Sequence, residues 1–166
     1  NKNWNYVGPM ELSEYTKLFE QDFRVAYTAI KSHSKNARVY FSTDYEWKKT
    51  NTSLQYAAKD FIDLFNAGIR AEGNIDWGLA YHPYPYPMVE PEFWDDDQTG
   101  MVNDTENSPV VNFKNLHVLT DYFQKPELLT ADGRVRHIIL SEEGFTSQSA
   151  SRGPVYDIQA AAFAYA

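Results

Sequence analysis

Apolar side chains in the first part of the chain recur at intervals of three and four: Leu12, Tyr15, Leu18, Phe19, Phe23, Ala26, Ala29 and Ile30. That spacing lines one face of a helix and predicts one over residues 12–30. After a polar turn, RVYFST at 38–43 has the β-branched and aromatic content of a short strand. The helical period returns in Leu54, Ala58, Phe61, Ile62, Phe65 and Ile69, with Ser53 placed to cap it and Gly68 and Gly73 to help end it. DWGLAY at 76–81 then reads as a buried strand. It runs into HPYPYP, where three alternate prolines forbid both helix and continued sheet pairing.

The loop that follows is roughly thirty residues long, beyond the usual connection in a compact domain, and loops of that length tend to be functional. Asn112 is placed to cap a third helix over Phe113, Leu116, Leu119, Tyr122 and Phe123, closed by Pro126. Residues 135–141 predict a third strand, and Pro154, suited to a first helical turn, opens a final helix. Strands alternating with helices predict an α/β fold with a parallel sheet and right-handed connections. In such folds sites gather at the carboxyl ends of the strands. Those ends carry Asp44, then His82 with Tyr84, then Glu142.

Composition adds a ligand cleft to this picture and removes some partners. Twelve Tyr, ten Phe and four Trp supply core area and also rings able to stack on flat ligand faces. Trp4, Trp47, Tyr86 and Trp94 are the candidates. A net charge of −8 repels phosphate backbones and anionic lipid, so neither nucleic acid nor a membrane is an expected partner. No cysteine is present, which removes disulfides and thiolate metal sites without fixing a compartment. Asn1 opens without a start methionine and AAAFAYA ends within a helical pattern, so both ends look cut and residues 1–166 read as one partial domain.

Two motifs carry a resemblance. IILSEEG at 138–144, a strand ending in Ser, Glu, one further residue and Gly, resembles strand seven of the clan A glycoside hydrolases, retaining enzymes on a (β/α)8 TIM barrel. His82-Pro83-Tyr84, one helix and one strand earlier, resembles the His-x-Tyr that often ends their strand six. The whole chain, from WNYVG through HPYPYP and PEFWDDD to ILSEEGFTS, also looks like an uncharacterised bacterial family with a glycosidase-like barrel. The resemblance implies strands five to seven of such a barrel with their helices. A complete barrel takes about 250 residues.

It further implies retaining hydrolysis of a poly- or oligosaccharide, with Glu142 as nucleophile and Tyr84 holding it. His82 and Asp44 would bind sugar hydroxyls and Trp47 would stack on a sugar face. No cofactor is implied. Glu143 is expected to be a bystander paired with Arg136 or solvent, since side chains alternate along a strand. The acid/base glutamate of the clan follows an Asn at the end of strand four, and no Asn-Glu pair occurs here. A carbohydrate-binding barrel without catalysis is the alternative. The expected partners are carbohydrate and either the remainder of the barrel or another copy at open sheet edges, and the expected setting is secreted or cell-surface.

One competing pattern lies in the long loop. Asp95, Asp97, Thr99, Gly100, Met101, Asn103 and Glu106 stand at positions 1, 3, 5, 6, 7, 9 and 12 of a calcium loop. The prolines of MVEPEFW and NSPVV occupy the places of its flanking helices, which favours a solvated acidic face.

Overall fold

A computed structural model describes residues 8–50, 52–53 and 55–166; Trp4 and Leu54 lie outside them. The first periodic stretch forms α1, Leu12–His33. The second forms α2, Ala58–Ala71, which opens with Ala57 at its N-cap and no side-chain capping bond, so Ser53 does not cap it. The two helices pack through aromatic rings: Phe19 meets Phe61 edge to face at 5.2 Å and Phe23 meets Phe65 at 5.3 Å. Such pairs contribute about 0.5–1.5 kcal/mol each beyond the area they bury. Arg24 of α1 reaches the far end of α2, its guanidinium donating to Ile69 O at 2.9 Å and Gly73 O at 3.4 Å. A cation there satisfies carbonyls that the helix leaves unpaired and meets the negative end of its dipole.

Three parallel strands, β1 (Val39–Asp44), β2 (Trp77–His82) and β3 (Ile138–Leu140), form one sheet in that order. The protein is thus mixed α/β around a parallel sheet. Val39, Phe41, Trp77, Leu79, Tyr81 and Ile138 share the face that packs on the helices. Register pairs Tyr40 with Gly78, Ser42 with Ala80 and Asp44 with His82 on the opposite face. Gly78 has no room for a side chain, since a Cβ would lie 2.5 Å from the Tyr40 ring and 2.9 Å from His137 O.

The predicted third helix is interrupted. Asn112 caps as expected, its side chain accepting from Lys114 N while its own N–H donates to Asn115 Oδ1 at 2.9 Å. The capped element is only a 3₁₀ turn, Phe113–Asn115, followed by the short α3, His117–Tyr122. Pro154 does not open a helix either. It belongs to β5 (Gly153–Pro154), paired with β4 (Gln148–Ser149), and α4 begins beyond it as Tyr156–Tyr165. A residue without an N–H suits a short edge strand as well as a first helical turn. Among the described residues no helix is long and apolar enough to cross a membrane.

At the amino end of the sheet Arg136 is buried, 2% exposed, and stacks 4.2 Å over Trp77. Its guanidinium donates to Leu128 O at 2.8 Å, to Ile75 O at 3.0 Å and to the Asn74 side chain. Glu143 is exposed and is not its partner. Burial lowers the Arg136 pKa to about 10, which still leaves the group charged at neutral pH.

Candidate functional site

The carboxyl ends of the strands meet as their order requires. Asp44 stands opposite His82 in the register. Ser141 N donates to Tyr81 O at 3.1 Å, extending the ladder one step past β3, so Glu142 follows the last sheet bond. The prolines then bring Tyr84 back over the rim. Its hydroxyl donates to Glu142 Oε1 at 2.7 Å, and His82 Nδ1 lies 3.7 Å from Oε2. Each carboxylate oxygen thus faces its own neighbour, while the Glu142 side chain stays 61% exposed and reachable by a ligand.

The protons in this cluster are unevenly held. Tyr84 is pushed up to about 12, first by loss of water around its hydroxyl and then by its bond to Glu142, which favours the protonated phenol as donor. Asp44 keeps contact with solvent but sits low among its neighbours. Loss of hydration and the charge of Glu142 raise its pKa, against the opposing pull of the Tyr45 N–H at 3.0 Å and of His82. Asp44, His82 and Glu142 line a cavity of about 750 Å³. Its far wall is aromatic and includes Tyr15 and Tyr56, stacked at 5.2 Å. Tyr56 precedes α2 in a stretch without periodicity, and Tyr15 carries a core helical signal; neither pattern marks a cavity wall.

Trp47 is placed elsewhere. It is fully buried, donates Nε1 to Glu106 O at 2.9 Å and packs edge to face on Tyr122 at 5.1 Å. The expectation of a sugar platform there is corrected: an indole satisfies a core as readily as a cleft, and here neither face is free. Trp94 packs between Phe93 and Tyr165, at 5.6 and 5.5 Å. Tyr86 lies against Tyr45 at 6.5 Å.

The spacing from Asp95 to Glu106 does not fold as a calcium loop. Phe93–Thr99 is a 3₁₀ turn, Asp97 faces Lys114 at 3.5 Å, and Glu106 is held between Lys59 at 3.3 Å and Lys125 at 2.5 Å. Among the described residues no three His, Asp or Glu side chains converge as a metal site. The middle of the acidic run was missed in the sequence. Asp96 is 4% exposed, and its Oδ2 accepts from Tyr86 N at 2.7 Å and from Asn112 Nδ2 at 2.5 Å.

Compared with known proteins, the chain matches a family of unknown function, DUF5722, over residues 1–166. No curated protein and no solved structure matches it.

Proposed function

For this chain, a member of the family of unknown function DUF5722, we propose a carbohydrate site on part of a glycosidase-like (β/α)8 barrel, with Glu142 as the nucleophile of retaining glycoside hydrolysis. The observation that carries the proposal is the Tyr84 hydroxyl bonded to an accessible Glu142 carboxylate at the carboxyl rim of a parallel sheet. In that chemistry the carboxylate attacks the anomeric carbon. A second carboxyl group, about 5 to 5.5 Å away, protonates the leaving oxygen and then activates water. Tyr84 keeps Glu142 oriented through its hydrogen bond, and His82 and Asp44, which line the same cavity, meet sugar hydroxyls.

The second reading is a carbohydrate-binding barrel without turnover; the Asn-Glu pair that would separate the two belongs to strand four, outside the strands five to seven that the resemblance covers. On either reading the outer edges of β1 and β3 take further strands of the barrel or another copy, since an unpaired edge invites pairing, and the setting is secreted or cell-surface. Aryl glycosides assayed with the longest available form of the protein and with Glu142→Gln decide between them. Hydrolysis lost by roughly 10³-fold or more in the variant supports the nucleophile. Equal turnover by both proteins rejects it, and saccharide binding without turnover establishes the binding module.

A further inference from the structure

In HPYPYP only His82, Tyr84 and Tyr86 carry a backbone N–H, because residues 83, 85 and 87 are prolines. The Tyr86 N–H is therefore the one donor of this run beyond Tyr84, and Asp96 Oδ2 accepts it at 2.7 Å. The same oxygen accepts from Asn112 Nδ2, and Asn112 is fixed in turn by its cap with Asn115. One buried carboxylate oxygen thus joins three segments: the proline run, the 3₁₀ turn Phe93–Thr99, and the start of the α3 region. Between Tyr84 and Tyr86 stands only Pro85, whose φ is locked, so holding residue 86 restricts residue 84. The Tyr45 ring backs both tyrosines, at 6.3 and 6.5 Å.

The surroundings are poor for a carboxylate kept only for stability. Asp95 and Asp97 flank Asp96 with like charge, and Lys114 of the next segment faces Asp97 at 3.5 Å. Burial raises the Asp96 pKa to about 7, a cost in stability that a functional constraint would explain.

We infer that Asp96 is a positioning residue for the working pair: by holding the Tyr86 amide, it sets the Tyr84 hydroxyl against the Glu142 carboxylate. The inference rests on Glu142 being the working carboxylate, but its test reads the resting protein and not turnover, so the two can fail separately. The readout is the ionisation of the Tyr84 phenol, followed by carbon NMR of ring-labelled tyrosine and assigned by its disappearance in Tyr84→Phe. In Asp96→Ala the phenol should lose the part of its elevation that the Glu142 bond supplies and fall measurably below about 12, toward the ordinary tyrosine value of about 10. Asp96→Asn keeps an oxygen in the position of Oδ2 and should stay near 12. Asp96→Ser, too short to reach Tyr86, replaces the alanine variant if that one does not fold. A phenol left near 12 in folded Asp96→Ala or Asp96→Ser overturns the inference, as does an Asp96→Asn protein that behaves like them.

Discussion

Three consecutive aspartates meet three environments. Asp95 accepts from Gln98 at 3.4 Å in the open, Asp97 faces a lysine, and Asp96 is turned inward between Tyr86 and Asn112. Burial raises the proton affinity of the last to about 7 from an ordinary value of 3.8. Between those two values the folded protein holds a proton that the unfolded chain has released. Its contribution to stability is complete below about 3.8 and is lost as pH rises through about 7. Asp96→Asn removes that dependence. Relative to the parent, the variant should gain on the order of 2 to 3 kcal/mol between pH 5 and pH 8. Urea unfolding at the two pH values checks this, and a constant difference would show that Asp96 does not titrate in that window. The acidic run gave no warning of an inward carboxylate, because a charge cluster in a loop reads as solvated and a 3₁₀ turn has no two-residue alternation to sort its faces.

Among the elements, β2 shows most directly how packing fixes a residue. Gly78 lies where Tyr40 crosses the sheet and where Leu79 N takes the His137 carbonyl at 2.9 Å. Gly78→Ala should destabilise by about 1–3 kcal/mol through overpacking, read from the denaturation midpoint; an unchanged midpoint would mean that the Tyr40 ring yields freely. The strands were legible in sequence because they are buried apolar runs bounded by polar or proline punctuation, and 76–81 differs from Trp77–His82 by one residue at each end. Elements after the prolines were less so. Asn112 announced its cap correctly, but apolar spacing over 113–123 could not reveal a break between a 3₁₀ turn and α3. Pro154 satisfied the rule for a helix start and was used instead in a two-residue strand.

Across the whole molecule the two ends of the sheet differ in kind. The carboxyl end is open and polar, with Asp44, His82 and Glu142 on one cavity. The amino end is tied shut by Arg136, which gathers carbonyls from the segments before β2 and β3. Arg136→Met keeps apolar cover over Trp77 but leaves those carbonyls buried without donors, and should cost about 3–5 kcal/mol. A melting curve is sufficient to check it, and a loss under about 1 kcal/mol would show that water replaces the guanidinium. The meeting of Glu142 with Tyr84 was readable in sequence because each belongs to a short local motif. The Arg136 clamp and the Asp96 bond join residues far apart in the chain, and no local pattern encodes them.

The register of β1 on β2 also determines which kinds of genetic change the rim can survive. Alternation places Phe41 toward the helices and Asp44 on the opposite face, opposite His82. A substitution in β1 alters one contact, but a single inserted or deleted codon between them would turn Asp44 toward the aromatic core while every residue of the rim was still present in the gene. A two-codon change restores the face yet slides the carboxylate about 6.6 Å along the strand, past His82. Length in this strand is therefore under tighter constraint than composition, and relatives should vary in its letters well before they vary in its count.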